Sequence, residues 1–359
     1  MRTRPWLFEE YPELEGRAPW TSLGDFPTPV HRLEGLCKSE GICEVWIKRD
    51  DRSSSHYGGN KVRKLEFTLA DAKRQRKRYV LTFGGLGSNH CLATTVHSRR
   101  LGLKSILVLH PQPITPHVRR NLLLDVKFGA EVHLARNPLE RALTVAWIKL
   151  TRRGVYTLPL GGSSPLGVLG FVDAGLELAR QVESGELPEP REIYLALGTG
   201  GTLAGLLVGL RLAGLNSRLI GVRVTPERIG NARKVADLAN RVINFLRSKS
   251  DSVPDLRFYP SDLEVVHYFY GPGYGAPTPE AVEARELLLE TDGVELDLTY
   301  TAKAFAALLA RARSGAEGPL LFWNTFNSVD LTPHLQGISE DDLPPRVREF
   351  LRREGGPSL

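Results

Sequence analysis

The chain of 359 residues carries 47 Lys and Arg against 41 Asp and Glu, a formal charge of +6, with 42% hydrophobic and 25% charged residues. This length supplies a sizeable core and favours two lobes over one, and the composition is that of an ordinary soluble globular protein. No apolar run approaches the ~20 residues needed to cross a bilayer, and the N-terminus lacks the continuous apolar segment of a secretory signal. A cytoplasmic protein without a membrane partner is expected.

The positive charge permits nucleic-acid binding, but the arginines are scattered along the chain. The one dense basic run, residues 73 to 78, reads as the solvated end of a helix, where cations suit the dipole. No zinc-finger, RNP or basic-zipper pattern accompanies it, so no nucleic-acid partner is expected; acidic small ligands account for the charge as well. Cys37, Cys43 and Cys91 are odd in number and fall in no metal-ligand spacing. His90 and His97 share a helix face without a third ligand, so no metal site is expected.

Residues 1 to 30 are irregular and rich in proline and aromatics, an arm packed on the main body, with an extended segment over Phe26 to Val30. Val45 to Lys48 reads as a short strand. After it come Gly58-Gly59-Asn60-Lys61 and a helical pattern with Leu65, Leu69 and Ala72 at its spacing. An alternation follows: strands over Tyr79 to Phe83, Ser105 to His110 and Glu131 to Ala135, with helices reaching Arg100, Phe128 and Arg153. From Tyr156 the chain leaves this small α/β lobe.

A helix from Gly167 to Val182 opens a second alternating block, with strands Ile193 to Leu197 and Leu219 to Val224 and helices Leu203 to Ala213 and Asn231 to Arg247. Residues 248 to 262 read as a connector, two helices flank Asp297 to Thr301, Leu320 to Trp323 is the last core strand, and the tail from Thr332 is charged and marginal. Strands alternating with helices predict right-handed crossovers and mostly parallel sheets covered by helices.

Several loops hold candidate chemistry. Lys61 starts a helix, where the dipole disfavours a cation; it is either a solvated lysine after a glycine turn or one that meets a phosphorylated ligand or forms an imine. Gly198-Thr199-Gly200-Gly201-Thr202 lies between a strand and a helix, where backbone N–H groups cradle an anion. Leu203 replaces the third glycine of the dinucleotide fingerprint and no Gly-Lys-Ser/Thr follows. A compact monophosphate fits better than a pyrophosphate, and a simple tight turn is the alternative. Ser88 and Asn89 sit at the C-terminal end of a strand, where such sheets place ligands. Asn89 either anchors a ligand hydroxyl or caps a helix. Tyr274 and Tyr300 stand beside breaks in regular structure, as core residues or as acids.

A lysine, a phosphate loop, an asparagine and polar strand ends together describe a pyridoxal phosphate site. Gly58-Gly59-Asn60-Lys61-x-Arg63-Lys64-Leu65-Glu66, Ser88-Asn89-His90, Gly162-Ser163, residues 198 to 202, Gly273-Tyr274-Gly275 and Tyr300-Thr301-x-Lys303 occur in matching order. In these motifs the chain resembles the D-cysteine desulfhydrase / 1-aminocyclopropane-1-carboxylate deaminase family of fold-type II, tryptophan synthase beta-like, pyridoxal phosphate enzymes.

The resemblance, over roughly residues 20 to 330, implies an α/β fold of two lobes, each with a mostly parallel twisted sheet flanked by helices, and the cofactor in the cleft between them. Residues 1–60 with 170–359 would form the large cofactor-binding domain and 61–169 the small one. Lys61 would carry the cofactor covalently. Gly198, Thr199, Gly200, Gly201 and Thr202 would bind its phosphate, with Lys64 in the same cofactor-binding set. Asn89 would bond the pyridine hydroxyl, and Thr301 or Thr325 would face the ring nitrogen. Ser88 would hold the substrate carboxylate or assist proton transfer, Tyr274 and Tyr300 would flank the substrate, and His90 and Gly162 would complete its site. A homodimer is implied too.

Deaminases of the family usually carry Glu where Thr301 stands, which points to β-elimination from a small D-amino acid such as D-cysteine. The alternatives are deamination or racemisation of another small amino acid, and a non-catalytic cofactor-binding protein. The chain departs from the family pattern at Gly87, where Gln is usual, at Leu92 in place of Arg, and at Asn324-Thr325-Phe326-Asn327 in place of His-Thr-Gly-Gly. Filling the space of two glycines predicts a substrate pocket of altered shape beside an intact cofactor site.

Overall fold

The structure, a computed structural model, describes residues 3–42 and 44–354. Cys43 lies outside the described residues. In chain order the elements are α1 (Trp6–Glu10), β1 (Val30–Arg32), α2 (Glu34–Glu40), β2 (Val45–Lys48), α3 (Lys61–Arg74), β3 (Tyr79–Gly85), α4 (Asn89–Arg100), β4 (Lys104–His110), α5 (Pro116–Lys127), β5 (Glu131–Leu134), α6 (Pro138–Thr151) and β6 (Val155–Thr157). They continue with α7 (Pro165–Glu183), β7 (Glu192–Leu197), α8 (Gly201–Leu212), β8 (Arg218–Arg223), α9 (Ala232–Arg247), β9 (Glu264–Val266), α10 (Pro279–Asp292), α11 (Thr301–Arg313), β10 (Leu320–Trp323) and α12 (Pro345–Glu354). The chain divides into two compact units, Met1–Phe67 with Ser163–Ser328, and Thr68–Gly162 with Val329–Leu359.

The first unit is built on a six-stranded sheet in the order β1-β2-β10-β7-β8-β9. Only β1 runs antiparallel; the other pairings are parallel. Successive side chains on a strand face opposite sides, and here both sides are apolar. Ile193, Leu195 and Leu197 of β7, with Leu321 and Trp323 of β10, enter one core with α7, α8 and α9. Tyr194, Leu320 and Phe322 enter the other with α2, α10 and α11. Near-continuous apolar runs are what a sheet covered on both faces requires, and they are why these strands are legible in the sequence.

The second unit has a four-stranded, all-parallel sheet in the order β5-β4-β3-β6. Again β4 splits its side chains, Leu107 and Leu109 to one core and Ile106 and Val108 to the other. Two expectations change here. The chain does not leave this unit at Tyr156, because Val155 to Thr157 pairs with Tyr79 to Leu81 as a fourth strand; three residues are too few to show a period. Nor is the C-terminal tail marginal or part of the large domain. Leu343, Val347 and Leu351, spaced by one helical turn each, pack on the leucines of α5, and Glu340 pairs with Arg119. Their i, i+4 stripe is diluted by six charged residues, Arg346, Arg348, Glu349, Arg352, Arg353 and Glu354, which hides it from composition.

Residues 61–67 and 163–169, expected in the small domain, belong to the first unit, and for the former a buried ion cluster shows why. The Arg63 guanidinium, fully buried, donates from Nε and Nη2 to the Asp50 carboxylate at 3.0 and 2.8 Å, and from Nη1 and Nη2 to Glu177 of α7 at 2.8 and 2.9 Å. Lys48 of β2, also fully buried, bonds Glu177, Gln181 and the Thr28 carbonyl. Phe26 stacks 4.2 Å from the guanidinium. Two cations thus face two carboxylates with their hydrogen bonds met, which is the condition for a buried ion cluster to be tolerated.

Removing one charge from this set breaks the balance. Glu177→Gln should lower the unfolding free energy by roughly 3–5 kcal/mol, because Arg63 and Lys48 stay buried beside a single carboxylate. Although burial opposes it, the pull of Arg63 and then Lys48 holds the Glu177 carboxyl far below its ordinary 4.5. The folded chain therefore binds fewer protons than the unfolded one at acid pH, so Glu177 stabilises fully above about 4.5 and progressively less below it. Denaturant titrations of both proteins across that range should show the difference between them shrinking as pH falls.

Candidate active site

The turn before α3 is held from three sides. Gly58 N–H donates to Asn327 Oδ1 at 2.6 Å, Gly59 N–H to Asp50 O at 2.8 Å and Asn60 N–H to Thr325 O at 3.2 Å. Gly59 has φ +86°, and a Cβ there would lie 2.9 Å from the Thr325 and Phe326 carbonyls, so only glycine fits. This places Lys61 at the first position of α3, half-buried, with Nζ donating to Asn60 Oδ1 at 2.7 Å. The Asn60 amide in turn donates to Thr202 Oγ1 at 3.0 Å. Enclosure pushes the Lys61 amine down to about 8, against an opposing pull from Asp297. About a tenth of such an amine is unprotonated, hence nucleophilic, at pH 7, far more than of an ordinary lysine.

Beside it lies the loop between β7 and α8. Gly200 takes φ +81° and α8 begins at Gly201 with no side chain capping its N-terminus. A Cβ on Gly201 would run into Ser163 Oγ and come within 2.7 Å of Lys64 Nζ. Ser163 Oγ is 2.7 Å from Thr199 Oγ1 and 3.4 Å from Lys64 Nζ. Burial pushes the Lys64 amine well below its ordinary value, and the charge on Lys61 adds to the shift. The hollow over Gly201 is therefore lined by two hydroxyls, an amine and uncapped helix N–H groups, the donor set a phosphate monoester needs.

The two tyrosines meet on the same side. Their hydroxyls are hydrogen-bonded to each other, with ring centroids 6.1 Å apart, and a Cβ on Gly198 would touch Tyr300 at 3.9 Å. Asp297 accepts the N–H groups of Thr299, Tyr300 and Thr301 at 3.0, 2.7 and 3.2 Å, capping α11. Lys303 Nζ donates to Tyr270 O at 2.7 Å and so ties α11 to the start of the loop that carries Tyr274. Thr301 is buried with its hydroxyl on Asp297 Oδ2 at 2.8 Å. The Thr325 side chain makes no hydrogen bond among the described residues.

Ser88, Asn89, His90 and Gly162 belong to the other unit. Ser88 is the N-cap of α4, accepting Cys91 N–H at 3.3 Å. Asn89 is the first residue of α4; its Oδ1 lies 3.1 Å from both His117 Nε2 and Asn121 Nδ2. His90 is buried with Nε2 2.9 Å from Thr82 Oγ1, tying α4 to β3. Gly162 follows Gly161 in the left-handed region, φ +66° and +64°. A Cβ on Gly87 would lie 2.7 Å from Val118 Cγ2, so no larger residue fits. The amide of Gln112 reaches across from the β4–α5 loop instead, its Nε2 3.3 Å from that Cβ position. Leu92 is a core residue.

Sequence reasoning passed over Asn60, Ser163, Asp297, Gln112, His117 and Asn121 as site residues. Asn60 and Ser163 stood inside quoted motifs, Asn60 as a turn residue and Ser163 without a role. Gln112, His117 and Asn121 carry no local signal, because each meets its partner from a separate element, while Asp297 meets only the N–H and hydroxyl groups just after it and reads as a loop acid. Among the described residues no group of three or more His, Cys, Asp or Glu is placed to hold a metal ion, and no helix is long and apolar enough to cross a membrane.

A nucleophilic lysine beside a monophosphate cradle, on an α/β scaffold, defines an enzyme that holds a phosphorylated aldehyde cofactor. Comparison with known proteins agrees. Residues 21–325 match the family described as pyridoxal-phosphate dependent enzyme. A D-cysteine desulfhydrase of Klebsiella pneumoniae (strain 342) is 35% identical over 336 residues, 89% of this chain and 98% of that protein. A nocardicin C-9' epimerase of Nocardia uniformis subsp. tsuyamanensis is 36% identical over 324 residues, 86% of this chain and 93% of that one. The crystal structure of an ACC deaminase homologue superposes with a TM-score of 0.75 at 32% identity, covering 90% of this chain and 95% of its own. The chain belongs to the D-cysteine desulfhydrase / 1-aminocyclopropane-1-carboxylate deaminase family and is a pyridoxal phosphate-dependent enzyme of fold-type II.

Two measurements check the geometry. In cofactor-free protein, acylation of Lys61 followed by peptide mapping should rise with pH around a midpoint of about 8, against the ordinary 10.5 for exposed lysines. Gly201→Ala should weaken pyridoxal phosphate binding tenfold or more (~1.4 kcal/mol) in equilibrium titrations, since the added methyl fills the hollow between Ser163 and Lys64.

Proposed function

We propose that the chain catalyses β-elimination from a small D-amino acid, D-cysteine first, giving pyruvate, ammonia and hydrogen sulfide with uptake of one water. The observation that carries this reading is Lys61: an amine lowered to about 8 by burial, oriented by Asn60, adjoining the cradle of Gly200, Gly201, Thr202, Thr199, Ser163 and Lys64. In the reading these residues anchor the phosphate, and Lys61 both holds the cofactor and, once released, takes the Cα proton at Nζ. When bound, the cofactor supplies the sink for the electron pair left at Cα.

Of the two threonines, Thr325 is assigned to the ring nitrogen, since the Thr301 hydroxyl is spent on Asp297. A neutral hydroxyl there makes the sink weaker than a carboxylate would, which suits elimination. Asn89 donates its amide NH2 to the cofactor's ring hydroxyl. Ser88, with the Gln112 amide standing in for the missing residue 87 side chain, receives the substrate carboxylate. The paired hydroxyls of Tyr274 and Tyr300 flank the leaving group and deliver its proton. His90 is left out of the substrate contacts, because its ring is turned to Thr82.

A second reading, deamination or epimerisation of another small amino acid, draws on the segment Asn324 to Asn327. Asn327 spends its side chain on the turn before Lys61, and Phe326 adds bulk beside it. The test is a visible spectrum of the loaded protein, with D-cysteine, L-cysteine, D-serine and 1-aminocyclopropane-1-carboxylate added separately and pyruvate and 2-oxobutyrate measured. The expected outcome is a band near ~400 nm, pyruvate from D-cysteine, and a rate loss of roughly 10³-fold or more in Lys61→Ala. 2-Oxobutyrate instead, or inversion without either keto acid, would select the second reading.

A further inference from the structure

The start of α4 carries a polar cluster that the helix itself does not need. Ser88 already caps that helix, so the amide of Asn89, one residue on, is free of that task. It is held instead from α5. His117 and Asn121, one turn apart on that helix and so on one face, place Nε2 and Nδ2 each 3.1 Å from Asn89 Oδ1 and 3.1 Å from one another. The first turn of α5 comes this close because residue 87 has no Cβ. One there would lie 2.7 Å from Val118 Cγ2, and Val118 follows His117 directly. Gly87, one of the chain's departures from its family, is thus what lets α5 reach Asn89. Farther along the same face Asp125, fully buried, accepts the Thr95 hydroxyl of α4 at 2.9 Å, a second tie that holds the two helices in this register.

The Gly87 carbonyl decides where the hydrogens lie. It can only accept, so the Asn121 atom 3.0 Å from it is the amide nitrogen. That NH2 gives its second hydrogen to Asn89, whose near atom is therefore the oxygen; a flipped amide would set two NH2 groups 3.1 Å apart. The same oxygen faces His117, so Nε2 carries a hydrogen whether or not Nδ1 is also protonated. Asn89 Oδ1 thus accepts two hydrogen bonds from α5, which fix the plane of the amide and polarise its NH2.

We infer that His117 is a positioning residue for the cofactor: its Nε2–H, with the Asn121 amide, holds Asn89 turned and polarised as a donor to the ring hydroxyl. The inference rests on the proposed bond from Asn89 to that hydroxyl, and adds the side chain that governs it. A donor on the hydroxyl oxygen favours its ionised form. The state of the bound cofactor therefore answers to a histidine that acts on it only through Asn89, in a contact that the missing side chain of residue 87 makes possible.

The experiment compares wild type, Asn89→Ala, His117→Phe and His117→Gln by visible absorption of the cofactor-loaded protein, with circular dichroism as the check on folding. Phenylalanine keeps the ring and loses the donor; glutamine gives up the ring and keeps a donor at about the reach of Nε2. Asn89→Ala and His117→Phe should both move absorbance from the ~400 nm band to shorter wavelength. In His117→Phe the ratio of the two bands should change roughly three- to tenfold, the worth of one hydrogen bond, and His117→Gln should return most of it. A shift in Asn89→Ala with His117→Phe at the wild-type ratio, or a glutamine variant no better than the phenylalanine one, overturns the inference and leaves the bond from Asn89 standing. No shift in any variant overturns that bond and the inference with it. Proton–nitrogen correlation spectra of the imidazoles, wild type against His117→Gln, give a readout that does not involve the cofactor: Nε2–H on His117 is expected, and a bare Nε2 would overturn the inference by itself.

Discussion

The constraint on which the first unit depends is the burial of two cations and two carboxylates among Lys48, Asp50, Arg63 and Glu177. Each belongs to a different piece of chain: β2, the turn after it, the first turn of α3, and the middle of α7. Unpaired, any of these charges would be very costly to bury, so the four pieces must meet together or not at all. Thr28, from the N-terminal arm, joins by giving its N–H and hydroxyl to Glu177 and Asp50. The close approach of α7 to α3 is set at the same place, because Gly170 lies directly on the Arg63 carbonyl. An apolar substitute of the same volume would pack, but it would not dictate the rotation of α3 about its own axis. A guanidinium with two carboxylates in fixed positions does.

That rotation is what the site needs. Consecutive residues of an α-helix step by about 100°, so the four polar positions of the motif after Asn60 fall in two pairs, Lys61 with Lys64 and Arg63 with Glu66, on different faces. Arg63 faces the ion cluster. Lys61 turns toward Asn60, and Lys64, three residues on, lies along the same face and meets Ser163 over Gly201. Glu66, fully buried, turns to the N-terminal arm, accepting the N–H groups of Trp20 and Leu23 at 3.0 Å each. One turn and a half of helix thus carries a nucleophile, an anion-binding amine, an anchor and a strap, and the anchor fixes where the other three point.

Legibility followed from the range of the interaction. The strands buried on both faces, β7, β8 and β10, declare themselves as apolar runs, and the glycine turn before Lys61 and the loop at 198 to 202 are local backbone features with local signals. The short strands β1, β6 and β9 exist only because a neighbour offers hydrogen bonds, so their sequences carry no period. Asp297 reads as an ordinary loop acid until α11 is seen to begin three to four residues later and to need a cap. Gln112 reads as a loop residue until Gly85 and Gly87 are seen to leave room for its amide. Thr301, the residue that favoured one branch of the family in the sequence, turns out to hold α11 in place, while Thr325 has the uncommitted hydroxyl.

The electrostatics of the site follow from the same economy. Lys61 and Lys64 are one helical turn apart, and each loses proton affinity to enclosure and, for Lys64, to its neighbour. A carboxylate placed between them would keep both protonated and so remove the nucleophile. The fold instead puts its one moderating acid, Asp297, toward Lys61 and commits that acid to four bonds with the start of α11, so that it tempers the amine without capturing it. The negative charge that Lys64 and the uncapped end of α8 call for is left to the ligand. In the proposed reading a monoester phosphate there would favour the charged form of Lys64, and Lys61, bonded to the neutral Asn60 amide, would be the reactive amine. That reading gives affinity for the cofactor and reactivity toward it to two lysines of the same helix face, and it rests on an asparagine, not an acid, standing next to Lys61.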